Sequence, residues 1–234
     1  LCFSRRVASR ASPSPCRQVT EFLLIRHGET DWNRALRFQG QIDVSLNDMG
    51  LTQARRLAQH LRDSEWDTAT QLHSSDLTRA MQTAQQLCSA QRVLQPQVGL
   101  REQGFGIFEG KSVEELKQGM PDLWAQWRRF QADFELPGGE STRRFHARIL
   151  SHLTELAEQH RGERLVVVTH GGVLDMVWRT VHQLDLNGYR QCQIPNAGIN
   201  HVVWQDGRWR IVDWALVDHL AGLPPQPVYQ TTSA

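Results

Sequence analysis

The stretch Phe22-Leu23-Leu24-Ile25-Arg26-His27-Gly28-Glu29-Thr30 decides the fold of this chain, because it joins an apolar run to a polar turn. A second apolar run, Leu165-Val166-Val167-Val168, precedes Thr169-His170-Gly171 in the same way. Short apolar runs bounded by turn signals predict buried strands, and each of these delivers a histidine at its carboxyl end. Ligands of open parallel sheets bind beyond the carboxyl ends of the strands. With Arg26 directly beside His27, the pattern indicates an anion site, and phosphate is the anion we expect.

Strand and helix patterns alternate along the rest of the chain. This alternation predicts an α/β fold: a three-layer sandwich with a mostly parallel central sheet, helices on both faces, and a helical insertion over the active site. Ser74-Ser75-Asp76 offers N-cap chemistry for the helix that follows, and Asp206-Gly207 is a hairpin signal. We expect strands over 19–25, 67–73, 92–100 and 164–168, helices around 54–61, 77–88, 142–157 and 171–181, and hairpin strands over 199–204 and 209–214.

The chain has 234 residues, which fits one domain. We place the catalytic domain at residues 19–222 and a helical lid within it at residues 104–140. Residues 1–18 contain four arginines, four serines and no acidic residue, and we interpret them as a disordered or mis-set extension rather than a transit peptide. Residues 223–234 contain three prolines and predict an irregular tail.

Composition narrows the possible partners. The net charge is +1, so no global field predicts nucleic acid or an anionic membrane as a partner. No apolar run approaches the length of a membrane span. Four cysteines without CxxC spacing predict a reduced chain with free thiols, and therefore a cytoplasmic protein. An anionic substrate must then be attracted by local charges.

Phosphoryl transfer to a side chain needs a nucleophile, donors for the equatorial oxygens and an acid for the leaving oxygen. His27 is the candidate nucleophile, provided that a backbone carbonyl holds its other ring nitrogen. Arg26 and Arg79 are the candidate phosphate clamp, and His170 is a further donor. Glu102 is the candidate acid, which must carry a proton in the bound complex. Taken singly, each of these residues also fits an ordinary role as a strand-end histidine or a solvated charge.

Four motifs follow one another along the chain: Arg26-His27-Gly28-Glu29-Thr30 with Trp32-Asn33, Ser74-Ser75-Asp76-Leu77-Thr78-Arg79-Ala80, Leu100-Arg101-Glu102 with Phe105-Gly106, and Thr169-His170-Gly171-Gly172. In this order they resemble the histidine phosphatase superfamily, which has the phosphoglycerate-mutase-like fold, over residues 19–220. The resemblance implies a phosphohistidine at His27, a phosphate pocket of Arg26, Arg79 and His170, and Glu102 as proton donor. It also implies that Asn33, Gln39, Gly40 and Gly171 line the pocket, and that neither a metal nor a cofactor is needed.

The family contains both phosphatases and mutases. Cofactor-dependent mutases typically have Asn-Glu-Arg-His-Tyr-Gly where this chain has the segment 101–106, and Phe-Thr-Gly where it has Phe38-Gln39-Gly40. They also carry a longer insertion after this point. These departures favour a phosphatase of a small phosphorylated metabolite, with a phosphoglycerate mutase as the alternative. A pseudoenzyme that only binds phosphorylated ligands is disfavoured because the set of candidate residues is intact. The sequence does not determine the substrate, and it does not distinguish a monomer from a homodimer.

Residues 104–139 are rich in aromatic and cationic side chains. We interpret the aromatic residues mainly as a core stripe, and three arginines as candidates for a second anionic group of the substrate. The histidines of the long helix that follows are expected to face solvent. The aromatic residues are Trp124, Trp127, Phe130 and Phe134, the arginines are Arg128, Arg129 and Arg143, and the histidines are His146, His152 and His160.

Overall fold

Six strands form one sheet at the centre of the computed structural model, which describes residues 18–227. Four strands run parallel to one another at one side, and two antiparallel strands complete the other side. The strands are β1 (Thr20–Arg26), β2 (Gln71–Ser75), β3 (Val93–Gln97), β4 (Arg164–Thr169), β5 (Ile199–Gln205) and β6 (Arg208–Leu216), in the spatial order β3-β2-β4-β1-β5-β6.

Helices cover both faces of this sheet, because successive side chains of a strand point to opposite faces. Phe22 and Leu24 of β1 pack against the helices of one face, and Leu23 and Ile25 pack against those of the other. The predicted α/β fold is therefore confirmed. The helices are α1 (Asp31–Arg34), α2 (Asp48–Arg62), α3 (Thr78–Gln85), α4 (Val113–Gly119), α5 (Pro121–Trp127), α6 (Thr142–Gln159) and α7 (Gly171–Val181). Of these, α6 and α7 lie on the Phe22 face, and α2 and α3 lie on the Leu23 face.

The insertion contains the short helices α4 and α5, as expected. Its core is a small cluster of Phe108, Leu116 and Leu136, which is separate from the two clusters against the sheet. Three residues of the predicted aromatic stripe, Trp124, Trp127 and Phe134, pack against this cluster, and the rings of Trp124 and Trp127 are stacked at 5.3 Å between centroids. The insertion is thus held by its own apolar core rather than by the sheet.

The hairpin between β5 and β6 forms as predicted. Asp206 and Gly207 have φ values of 52° and 76°, which suit a two-residue turn of the primed type. The predicted inward face of α6 is also buried, from Phe145 to Ala157. Ser141 caps this helix by accepting a hydrogen bond from the Arg144 amide.

Three local predictions were wrong around β2 and α3. β2 begins at Gln71 and extends through Ser75, so Ser74 and Ser75 belong to a strand and do not cap α3. Instead, Asp43 of a distant loop accepts a hydrogen bond from the amide of Thr78, in the first turn of α3. α3 ends at Gln85, so Cys88 lies outside the helix and is exposed rather than buried, while Met81 is only half-buried.

The prediction that His146, His152 and His160 face solvent was wrong; the first two lie on α6 and His160 directly follows it. His146, His152 and His160 are half-buried, and the His160 ring lies 5.4 Å from the ring of His73 on β2. Residues 1–17 of the predicted extension and 228–234 of the predicted tail lie outside the described residues. Residues 223–227 form neither helix nor strand.

Candidate active site

The pairing of β1 with β4 brings the two histidines together. Arg26 is the register partner of Thr169, so the next residue on each strand is a histidine. The His27 amide donates to the Thr169 carbonyl at 2.9 Å, and the two imidazole centroids are 5.2 Å apart. Both rings are buried at the carboxyl edge of the sheet, where the sequence predicted the site.

His27 is held as one tautomer. Its Nδ1 lies 2.7 Å from the Gly28 carbonyl oxygen, which can only accept, so Nδ1 carries the hydrogen and Nε2 keeps its lone pair. Burial, together with the charges of Arg79 and Arg26, holds the pKa of His27 well below its usual range, against the opposing effect of the Gly28 hydrogen bond. The imidazole is neutral at neutral pH and presents Nε2 as a nucleophile.

Arg79 is anchored by backbone carbonyls. It lies in the first turn of α3 and is fully buried, and its Nη1 and Nη2 donate to Ile42 and Gly40 at 2.8 and 2.7 Å. Burial lowers the pKa of Arg79 to about 10, although the charges of Glu102 and Asp43 oppose this. The guanidinium therefore stays charged at neutral pH, and its orientation is fixed before an anion arrives.

The side chain of Arg26 lies in the site, beside the start of α7. Its Nη1 donates to the Ile194 carbonyl at 2.6 Å, and a Cβ built on Gly171 would lie 3.5 Å from its Nε. Gly171 is the first residue of α7, where helix amides have no carbonyl partner within the helix. Arg26 and these amides together suit an anion.

His170 is fixed by a residue that sequence reasoning assigned to another role. Its Nε2 lies 2.7 Å from the Ser75 hydroxyl, which the β2–β4 pairing brings to it. Its Nδ1 is buried with no hydrogen-bond partner among residues 18–227. Burial first, then the charges of Arg79, His27 and Arg26, keep the pKa of His170 well below its usual range. If the Ser75 hydroxyl donates to Nε2, Nδ1 carries the hydrogen and can donate to a ligand.

Glu102 also contacts the start of α7. Its Oε1 accepts from the Gln103 amide at 2.9 Å and its Oε2 from the Gly172 amide at 3.0 Å. A Cβ built on Gly172 would lie 2.1 Å from Oε1, so the glycine makes this approach possible. Arg148 supports the segment by donating to the Glu102 carbonyl at 3.2 Å while paired with Glu140.

Asn33, Gln39 and Gly40 line the same cavity. Thr30 connects the first two: its hydroxyl lies 3.1 Å from Asn33 Oδ1 and 3.1 Å from Gln39 Oε1. Gly40 has a φ of +51°, and a Cβ there would lie 1.9 Å from Oε1 of Glu109. These residues form the wall of the pocket beside His27.

The cavity has a volume of about 470 Å³. The sheet edge and α7 form its floor, and the aromatic residues of the insertion form its opposite wall. Of the three arginines that were candidates for a second anion, Arg128 lines the cavity, whereas Arg143 binds Asp133 at the surface and Arg129 does not line the cavity. The cavity suits a small ligand with one strongly anionic end.

Sequence reasoning missed three residues here. Ser75 orients His170, Asn196 donates from Nδ2 to the His27 carbonyl at 3.0 Å, and Arg190 lines the cavity. Pro195-Asn196 followed by Gly198 is a turn signal that could have pointed to Asn196. An isolated arginine such as Arg190 gives no local signal.

Two features are absent from the part of the chain that the structure describes. Residues 18–227 contain no group of three or more histidine, cysteine, aspartate or glutamate side chains placed to hold a metal ion. None of the helices within the same range is long and apolar enough to cross a membrane.

Comparisons with known proteins agree with this geometry. Residues 22–217 match the sequence profile of the histidine phosphatase superfamily (branch 1). A metal-independent phosphoserine phosphatase of Arabidopsis thaliana is 38% identical over 211 residues, which are 88% of this chain and 85% of the relative. Phosphoglycerate mutase-like protein 4 of the same plant is 36% identical over 206 residues, 86% of each chain. The crystal structure of Entamoeba histolytica phosphoserine phosphatase in complex with 3-phosphoglyceric acid superposes with a TM-score of 0.73 at 26% identity, covering 86% of this chain and 99% of that one.

Proposed function

This chain belongs to the histidine phosphatase superfamily, and from that premise we propose that it is a metal-independent phosphatase that hydrolyses a small phosphomonoester through a phosphohistidine at His27. The observation that carries the proposal is the 2.7 Å contact between His27 Nδ1 and the Gly28 carbonyl. It leaves Nε2 of a neutral imidazole as the nucleophile beside two buried arginines.

In the first step, Nε2 of His27 attacks phosphorus and the bond between phosphorus and the ester oxygen breaks. Glu102 gives its proton to the leaving oxygen, so the alcohol departs neutral. Arg26, Arg79 and His170 donate to the three equatorial oxygens and stabilise the charge that they carry in the transition state. The phosphoryl group now resides on His27.

In the second step, water attacks the phosphohistidine and gives a proton to Glu102. The bond between phosphorus and Nε2 breaks, and phosphate leaves. His27 returns to its neutral tautomer and Glu102 to its protonated form, so atoms and charge balance over the cycle. All the groups required are side chains of this chain.

We further propose that the partner is a small phosphorylated metabolite rather than nucleic acid or a membrane surface. The net charge of +1 gives no long-range field, and the anion-binding groups are concentrated in one cavity. Cys88 and Cys192 are free thiols, which supports a cytoplasmic location. Assembly as a monomer or a homodimer is compatible with this function.

A phosphoglycerate mutase is the second candidate, because the mutase-like relative shares the fold and the same phosphohistidine chemistry would serve an isomerase. The two activities differ in the acceptor of the phosphoryl group, which is water in a phosphatase and the product itself in a mutase. Phosphate release and conversion of 3-phosphoglycerate to 2-phosphoglycerate should therefore be measured in the same reaction. Net phosphate release is expected; isomerisation without it would establish the mutase instead.

The covalent step is tested by rapid quenching. Wild-type protein incubated with a ³²P-labelled phosphomonoester should retain label that survives alkali and is lost in acid, as a phosphoramidate does. His27→Ala should retain none, while the exposed His182→Ala should label like the wild type. Normal turnover by His27→Ala would contradict the mechanism.

A further inference from the structure

Arg190 lies at the edge of the phosphate pocket but has no part in the mechanism above. It follows α7 in the segment that leads to β5 and lines the cavity. A Cβ built on Gly171 would lie 3.7 Å from each of its Nη1 and Nη2 atoms, and 3.5 Å from Nε of Arg26. Arg190 and Arg26 therefore converge on the first residue of α7.

Two of the cavity arginines, Arg190 and Arg128, have no side-chain hydrogen bond or ion pair within residues 18–227, but of these two only Arg190 has a buried donor atom without an acceptor. Arg26 donates to the Ile194 carbonyl, Arg79 donates to two carbonyls, and Arg37 pairs with Glu115. Arg190 forms no ion pair and no side-chain hydrogen bond with residues 18–227, although its Nε is buried. The buried Nε–H of Arg190 therefore lacks an acceptor, and an anion bound in the cavity would supply one.

The segment before Arg190 is rigidly held. Arg179 is buried on α7 and pairs with Asp175 at 3.1 Å. It also donates to four backbone carbonyls of the segment between Asp185 and Tyr189. The Tyr189 ring also packs on Phe130 of the insertion at 4.4 Å between centroids. The Arg179 acceptors are the carbonyls of Asp185 at 2.6 Å, Asn187 at 3.2 Å, Gly188 at 3.0 Å and Tyr189 at 2.9 Å. The backbone that presents Arg190 is thus fixed before a substrate binds, which reduces the entropy lost on binding.

We propose that Arg190 is a specificity-determining residue that binds a carboxylate of the substrate, adjacent to the phosphate. The proposal rests on the proposed function, because it takes the phosphate to be held by Arg26, Arg79 and His170. The planar fork of a guanidinium accommodates both oxygens of a carboxylate. Its position beside Gly171 restricts the carboxylate to compact phosphomonoesters, in which only a few bonds separate the two anionic groups.

A matched pair of substrates tests this. 3-Phosphoglycerate and glycerol 3-phosphate differ only in that a carboxylate of the first is a neutral hydroxymethyl group in the second. Arg190→Met should lower kcat/KM for 3-phosphoglycerate by about 10- to 100-fold, mostly through KM, and that for glycerol 3-phosphate by less than about threefold, as expected for loss of one charge-assisted pair. Arg190→Lys should retain part of the preference, since it keeps the charge but loses the fork. The exposed Arg55→Met is the control.

Binding of the same two compounds to His27→Ala, with and without Arg190→Met, separates this proposal from the proposed function. If calorimetry shows a carboxylate preference that depends on Arg190, the proposed role of Arg190 is supported even if the wild type releases no phosphate. The absence of phosphate release would overturn only the proposed phosphatase activity. Equal losses for both compounds in Arg190→Met would show that Arg190 holds the phosphate or the fold, and would overturn the proposal. An unchanged preference in Arg190→Met would overturn it as well.

Discussion

Asp43 holds Thr78 with both of its carboxylate oxygens: Oδ1 accepts from the Thr78 amide at 2.7 Å and Oδ2 from the Thr78 hydroxyl at 2.6 Å. The residue is 35 positions away from the helix that it caps. Since Arg79 follows Thr78 directly, this contact also sets the direction from which Arg79 enters the proposed phosphate pocket.

Asp43→Ala is therefore expected to affect both stability and activity. Loss of an N-cap costs about 0.5–2 kcal/mol of unfolding free energy, and we expect kcat/KM to fall because Arg79 loses its fixed approach. Asp43→Asn keeps one acceptor and should lose less in both respects. Urea unfolding and p-nitrophenyl phosphate hydrolysis measure the two effects; an Asp43→Ala protein equal to wild type in both would contradict this role.

Ser75→Ala should weaken catalysis by releasing His170. The hydroxyl contact at 2.7 Å fixes the His170 ring, and loss of one such hydrogen bond is expected to lower kcat/KM by about two- to tenfold. Ser74→Ala is the matched control, because Ser74 is equally buried but donates to the Ser75 carbonyl instead. Equal effects of the two substitutions would mean that the strand, not the His170 contact, is responsible.

Glu102→Gln should separate substrates by their leaving groups. An alkyl alkoxide needs a proton to depart, whereas p-nitrophenolate does not, so we expect a loss of about 10²- to 10⁴-fold on alkyl phosphates and a much smaller loss in the first step on the aryl ester. Single-turnover formation of the phosphoenzyme is the measurement, with the exposed Glu114→Gln as control. Equal losses on both ester types would remove Glu102 from leaving-group protonation.

His73 should make the protein less stable in mild acid. Burial, with lesser effects of His160 and His152, lowers the pKa of His73 to about 4, whereas in the unfolded chain it titrates near its ordinary value of 6.5. The unfolded state then binds more protons as pH falls from 6.5 toward 4, so stability present above pH 6.5 is lost across that window. Gln97 donates to Nδ1 of the neutral ring at 3.2 Å, a contact that protonation would break.

His73→Gln should reduce the slope of unfolding free energy against pH by up to one proton, about 1.4 kcal/mol per pH unit. Urea unfolding at several pH values between 4.5 and 7.5 measures this slope. The exposed His182→Gln serves as control. A slope unchanged by His73→Gln would show that other buried histidines account for the acid sensitivity.

Chelation should leave activity intact, because arginine and histidine donors take the place of a metal in the proposed phosphate pocket. Hydrolysis of p-nitrophenyl phosphate after dialysis against EDTA should match that of untreated protein. A loss of activity that a divalent cation restores would point to a metal-dependent step and overturn the proposed mechanism.

The parts of the fold that depend on local pattern were predictable. The apolar runs before His27 and His170 gave both strands, the Asp206-Gly207 signal gave the hairpin, and the family that the motifs suggested is confirmed. The site residues named from those motifs all line or adjoin one cavity, although their chemical roles stay predictions.

Contacts between distant segments could not be predicted from the sequence. Asp43 caps α3, for which the sequence predicted a local cap, and Ser75 is a strand residue because it pairs with Gln97 of β3. The histidines in and just after α6 are polar residues, a pattern that predicts exposure, but His160 contacts His73 of β2 and His146 contacts Thr180 of α7. In each case tertiary packing overrides a sound local signal.

The contacts that join Arg26 and His27 to the segment before β5 also bear on how the protein acquires activity. Arg26 binds the carbonyl of a residue 168 positions away, and the His27 carbonyl binds Asn196 across 169 positions. Such long-range closures are slow steps in folding, and no local segment can form the pocket alone. Recovery of phosphatase activity during refolding should therefore follow the completion of the whole sheet, which makes turnover itself a reporter of global folding.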